Sequence, residues 1–174
     1  FDMYNKPLLN GYAEVVNPYR FLWGPIDGLG GVDFAERGLR SRPQLHRRWD
    51  ADYNGWWMCL IPRVVLEDIG LSLPVFIKWD DSEYSLRAKA AGYPTISLPG
   101  AAVWHVSWAD KDDAVDWQAY FHERNRLIAA LLHSPFAKGG RMLRESLTTD
   151  TKHVVSMQYL SLIHISEPTR RYAI

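Results

Sequence analysis

The sequence predicts an α/β fold, and three observations predict it. Short apolar segments with strand character alternate with segments of helical period. Gly and Pro residues sit at the junctions between them. A hydrophobic content of 47% and an aromatic content of 13% over 174 residues give enough apolar side chain for a folded core.

The elements follow in chain order. Ala13 to Val16 and Tyr19 to Trp23 are expected as short extended segments, with Pro18, Gly24 and Pro25 marking the turns around them. Asp33 to Leu39 is expected to form one helical turn. Arg37 to Arg48 holds five arginines and His46 without clear period, which fits a solvated loop or an anion-binding loop that closes on a diphosphate. Trp56 to Ile61 reads as a buried strand. Pro62 suits the first turn of a short helix to Ile69, and Gly70 suits its stop.

Val75 to Ile77 reads as another short strand. The helix expected over Asp81 to Ala91 has Glu83 and Arg87 four apart, with Gly92 just past its end. Thr95 to Leu98 and Ala102 to Trp108 are expected strands, the second alternating so that His105 points away from the face of Trp104 and Trp108. A long helix from Asp113 to Leu132 carries Trp117, Tyr120, Phe121, Ile128 and Leu131 along one stripe, and Pro135 ends it. A further helix is expected over Gly140 to Tyr159.

Twenty basic residues balance twenty acidic ones, so the overall charge gives no reason to expect a nucleic acid partner. The single cysteine, Cys59, excludes an internal disulfide framework and fits a reducing compartment; its apolar neighbours suggest a small core residue. No apolar run approaches the ~20 residues a membrane span needs. Phe1 suggests a start inside a longer protein. Leu160 to Arg170 resembles translated sequencing-adapter read-through, so residues 160–174 are set aside from fold and function.

Two adjacent carboxylates, Asp80 and Asp81, stand where an extended segment gives way to a helix. With Glu83, Asp80 has the spacing of a capping box, which would make the pair structural. The other reading is chemical: one carboxylate orients an acceptor hydroxyl and its neighbour takes the proton. A single base opposite a departing phosphate gives displacement with inversion at a sugar carbon. His105 could ligate a metal through a neutral imidazole nitrogen, or be an ordinary hydrogen-bonded strand residue. Asp50-Ala-Asp52 has the form of a metal-binding Asp-x-Asp motif, but Arg47-Arg-Trp49 precede it where a buried apolar strand is required; we read it as a decoy. Eight tryptophans are many for this length, and indole faces stack on the C–H faces of sugars.

Four long motifs then occur in order: Asp52-Tyr-Asn-Gly-Trp-Trp57, Phe76-Ile-Lys-Trp-Asp-Asp81, Leu98-Pro-Gly-Ala-Ala-Val-Trp-His105 and Asp116-Trp-Gln-Ala-Tyr-Phe-His-Glu-Arg-Asn-Arg-Leu127. Together, from about Glu14 to Tyr159, they resemble the polymerising galactofuranosyltransferases of mycobacteria and related actinobacteria, in glycosyltransferase family 2. The resemblance implies a partial GT-A (Rossmann-like) domain followed by C-terminal helices. Residues 1–133 would be the acceptor-binding portion and 134–159 the start of the helical region. It implies inverting transfer of galactofuranose from UDP-galactofuranose to a cell-wall galactan growing on a polyprenyl-diphosphate lipid.

By position, Asp81 matches the general base and His105 a ligand of Mn2+ (or Mg2+). Asp80, Trp79, Trp56, Trp57, Trp23, Glu14, Trp108 and His122 match residues lining the acceptor site. The family implies tetramers attached peripherally to the cytoplasmic side of the inner membrane. The nucleotide-binding half, with the true Asp-x-Asp, is expected upstream of Phe1, so this stretch alone is expected not to turn over. Asn10 stands near where the family places a histidine. The rival class is a non-catalytic carbohydrate-binding module that uses the tryptophans as stacking platforms.

Overall fold

The computed structural model describes residues 2–4, 8–9, 11–105 and 118–157. They form two compact units that interleave along the chain: 1–17, 22–72 and 81–110 make the first, and 18–21, 73–80 and 111–174 the second.

Among the described residues, the first unit holds all the strands. β1 (Asp2–Tyr4), β2 (Leu8–Leu9), β5 (Val32–Asp33) and β8 (Val103–His105) form one mixed sheet in the order β5-β2-β1-β8. β1 runs antiparallel to β2 and parallel to β8, with Tyr4 beside His105. β3 (Glu14–Asn17) pairs antiparallel with β4 (Leu22–Pro25), placing Val16 across from Trp23. β6 (Trp49–Ala51) pairs antiparallel with β7 (Thr95–Ser97). The expected strand at Tyr19 to Trp23 is therefore displaced: residues 18–21 are turn, and pairing begins at Leu22.

Leu9, Tyr12, Leu29, Val32, Leu45 and Ala51 bury their side chains in the main core of this unit. The Tyr12 hydroxyl donates to the Arg47 carbonyl (2.6 Å), and the Arg47 guanidinium lies 4.0 Å over the Trp49 ring. The arginine-rich stretch consequently ties itself together. Arg42 donates to the carbonyls of Asp33 and Arg37, Arg37 donates to Ser41, and Arg48 pairs with Asp50. The helical turn expected at Asp33 to Leu39 falls later, as 3-10 turns at Leu39–Ser41 and Pro43–Leu45.

A second cluster joins α1 (Arg63–Ile69) to α2 (Asp80–Ala90) through Val65, Tyr84 and Ala88, with Trp56, Ile61 and Tyr93 against it. Pro62 is the residue just ahead of α1, and Gly70 ends the helix at φ 76°, where a Cβ would be strained. Arg87 reaches the exposed carbonyl end of α1, donating to Ile69 (2.6 Å) and Leu71 (3.0 Å). It is also paired with Glu83 one turn earlier (3.2 Å). A cation at that end meets both the orphan carbonyls and the negative end of the helix dipole.

Trp56 to Ile61 does not form the expected strand; it runs as turn and irregular chain, and Cys59 is exposed rather than a core residue. Val75 to Ile77 is likewise not a strand.

In the second unit, α3 (Gln118–His133) packs with α4 (Met142–Val155). The buried face of α3 is Ala119, Asn125, Arg126, Ala129 and Ala130 rather than the stripe of large apolar residues, and Leu131 is 72% exposed. Gly140 (φ 64°) lets the chain pass the turn at 18–21. A Cβ there would lie 2.5 Å from the Tyr19 carbonyl, which accepts from the Arg141 amide at 2.8 Å.

Candidate functional site

Asp80 opens α2, one residue earlier than the sequence suggested. Asp81 Oδ1 accepts from its neighbour's backbone amide (Ser82 N, 2.7 Å) and hydroxyl (Ser82 Oγ, 3.1 Å), which fixes one oxygen of the carboxylate. Glu83, the residue the capping-box spacing required, is buried and paired with Arg87.

Asp81 belongs to the first unit and sits in a polar group with Glu14, Tyr53 and Ser82. The Tyr53 hydroxyl donates to Glu14 Oε2 (2.7 Å), and a bridge between the backbones of Glu14 and Tyr53 brings the two together. Burial, first, pushes the Tyr53 phenol far above its usual range; the Glu14 charge and hydrogen bond and then the Asp81 charge add to this, with Ser82 opposing. Tyr53 thus stays a neutral donor that holds Glu14. Residue type alone does not single out Tyr53 or Ser82; the place of Tyr53 inside the Asp52 to Trp57 motif is the available signal.

Glu14, Trp56 and Trp57 line one cleft of about 570 Å³ in the first unit, together with Cys59, Tyr84 and Tyr93. That volume is in the range of small-ligand pockets. Trp56 packs edge-on against Tyr84 (5.7 Å), and its buried Nε1 has no hydrogen-bond partner among the described residues. The Trp57 ring lies over Gly55, where any side chain would collide with it. Trp23 is half-exposed on β4. Cys59 has its thiol pushed up, by burial first and then by the Asp81 charge, so Asp81 acts electrostatically on the cleft wall.

Trp79 and His122 belong to the second unit. Trp79 is 2% exposed, stacked on Phe21 (ring centroids 5.7 Å) and tilted against the His122 ring (6.2 Å). The backbone ahead of the acid pair is unusual. Phe76, Lys78 and Trp79 all take positive φ (74°, 66° and 66°), a conformation that costs an L-residue about 1–2 kcal/mol each. Such outliers collect at functional sites, where surrounding structure holds them.

The other expected residues fall as follows. His105 ends β8, and Trp108 lies outside the described residues. Asp50 and Asp52, the residues of the Asp-x-Asp form, are both engaged in contacts within the first unit. Asp50 pairs with Arg48, while Asp52 pairs with Lys89 and accepts from the Val16 amide (2.8 Å). Among the described residues no three His, Cys, Asp or Glu side chains assemble to hold a metal ion, so they do not by themselves make the implied manganese site.

Residues 26–130 match the profile of the family described as glycosyltransferase like family 2, which covers more than half of the chain. The chain belongs to that family. Within it, this family-2 chain is 56% identical over 154 residues (84% of the chain) to galactofuranosyltransferase GlfT2 of Mycobacterium tuberculosis (strain ATCC 25618 / H37Rv). It is 48% identical over 157 residues (87% of the chain) to galactofuranosyltransferase GlfT2 of Mycolicibacterium smegmatis (strain ATCC 700084 / mc(2)155). The chain spans 24% of the length of each.

Proposed function

We propose that this chain is the acceptor-side part of an inverting glycosyltransferase of GT-A fold. It would serve transfer of galactofuranose from UDP-galactofuranose to a galactan carried on a polyprenyl-diphosphate lipid. The observation that supports this reading is the placement of Asp81. One oxygen of its carboxylate is held by Ser82, and its charge reaches the tryptophan-lined cleft that also contains Glu14.

In the step proposed, Asp81 takes the proton of the acceptor hydroxyl as that oxygen attacks the anomeric carbon. The bond from that carbon to the diphosphate oxygen breaks, UDP leaves with the electron pair, and the configuration inverts. Glu14, fixed by Tyr53, and the indoles of Trp56, Trp57 and Trp23 receive the acceptor sugar, through hydrogen bonding and C–H stacking respectively. Asp80, Trp108 and His122 are each proposed, from motif position alone, as further acceptor residues; Trp79, buried against Phe21, is proposed to act only through the residues it packs on. His105 is proposed as one ligand of Mn2+ or Mg2+, an ion that would neutralise diphosphate charge when bound. Peripheral attachment to the cytoplasmic face of the inner membrane and assembly as a tetramer are part of the same proposal; no described helix is long and apolar enough to cross a membrane.

The test is Asp81→Asn in a full-length protein carrying this chain. Turnover should fall by about 10²–10⁴ while the thermal transition is kept. Wild-type turnover would remove Asp81 from the mechanism. If turnover is unaffected and the isolated chain binds galactan without metal or UDP, the carbohydrate-binding module is the better description. A manganese titration of His105→Ala belongs in the same series, and an unchanged curve would count against ligation.

A further inference from the structure

We propose that Asn125 is a positioning residue for the acid pair, its side-chain amide holding the left-handed backbone of 76–79 and so fixing where α2 begins. The inference rests on the assignment of Asp81 above. Asn125 lies in the middle of α3 and is 1% exposed. Its Nδ2 stands 3.0, 2.7 and 2.8 Å from the carbonyl oxygens of Val75, Ile77 and Lys78. An amide has two hydrogens, so at least one is shared between acceptors. Arg124 Nη2 adds a second donor to the Val75 carbonyl (2.9 Å).

No strand or helix ladder runs through residues 75–79 to satisfy these carbonyls, and the positive φ at Phe76, Lys78 and Trp79 is unfavourable in isolation. The next residue along α3 does the same for a second strained turn. Arg126 Nε donates to the carbonyl of Phe21 (2.8 Å), whose own φ is 52°, and Arg126 Nη2 donates to that of Arg20 (2.8 Å). Phe21 is the ring on which Trp79 stacks. Arg124, Asn125 and Arg126, consecutive in sequence, therefore grip the two turns that hold Trp79 immediately ahead of Asp80 and Asp81. A buried amide facing three carbonyls has no apolar packing role that alanine or leucine could not fill. Its chemistry is that of a clamp.

Asn125→Asp keeps the shape and removes the donors. In the 174-residue chain, hydrogen exchange at the amides of 77–81 should rise about tenfold or more while α4 keeps its protection. In the full-length protein kcat should fall by about 10–100-fold, the loss expected from a small misplacement of a catalytic group. Counted per folded molecule, from the amplitude of the thermal transition, the kcat loss should persist while KM for the acceptor changes by less than about threefold, which separates misplacement from a smaller folded fraction. Unchanged exchange, or a loosened loop with wild-type kcat, overturns the proposal.

Lys78→Gly is the second variant. Glycine accepts φ 66° without strain, so the melting temperature should rise by about 2–4 °C with kcat unchanged. A melting temperature that fails to rise would count against strain at Lys78 large enough to need the clamp. The two readings fail separately: activity in Asp81→Asn removes the base and leaves the exchange result standing, whereas wild-type kcat in Asn125→Asp removes the clamp and leaves the base.

Discussion

Cys59 reports on Asp81 without any need for turnover. Its thiol is raised by burial and by the Asp81 charge, so the thiolate forms only at higher pH than for an ordinary cysteine. Asp81→Asn removes a negative charge that opposes ionisation, so the thiol pKa falls. The pH midpoint of iodoacetamide alkylation should therefore move to lower pH in that variant; an unmoved midpoint would place Asp81 away from the cleft wall. At this scale the sequence was partly legible. The acid pair and the paired tryptophans stand out by residue type and motif, whereas Glu14 enters only through the family resemblance. Tyr53 and Ser82 do not stand out, because a tyrosine and a serine acquire meaning only once a carboxylate is beside them. The apolar neighbours of Cys59 line an open cleft rather than a closed core, so the residue is exposed and its thiol only partly shielded.

The element that best shows how packing overrides pattern is α3. Its large apolar residues suggested the buried face, yet the helix turns small and polar residues inward, with Ala129 and Ala130 permitting close approach and Arg126 entering with its charge. Arg126 is close to Glu123 (3.6 Å) and Glu145 (3.9 Å) as well as to the carbonyls of turn 18–21. Arg126→Met should destabilise by about 3–5 kcal/mol, because buried acceptors and carboxylates lose their cation together. Urea denaturation measures it, and a loss under about 1 kcal/mol would show the guanidinium to be dispensable. The signal for this inversion was present in Arg124-Asn-Arg126, three polar residues in mid-helix. Helices with strong stops, α1 before Gly70 and α2 before Gly92, were legible to within a residue or two, since their ends are set locally. Val75 to Ile77 and Trp56 to Ile61 have the β-branched and aromatic content of strands, and neither pairs. A strand needs a partner edge, which local composition cannot supply.

For the molecule as a whole, the interleaving of two units matters more than the order of elements. Residues 18–21 and 73–80 leave the first unit to join the helices of the second, and Asp80 and Asp81 fall on either side of that division. The chain corresponds to 24% of the curated galactofuranosyltransferases it resembles. The 174 residues alone are expected to show no transfer from UDP-galactofuranose in a radiolabel assay. Transfer by the isolated chain would mean that donor binding is contained within it. The Arg37 to Arg48 stretch illustrates why charge runs are hard to read at this scale. Four of its five arginines are engaged within the stretch and its immediate neighbours, leaving little of the anion-binding loop that the sequence kept open.

By itself the sequence determined family membership and the helices that close on glycine, because motifs and stop signals are written in neighbouring residues. Only the tertiary structure decided that Tyr53 holds Glu14, that Trp79 is stacked away on Phe21, and that α3 spends a buried amide on three carbonyls. Those contacts join residues tens of positions apart, and the balance between backbone strain and the donors that offset it exists only once the chain has folded.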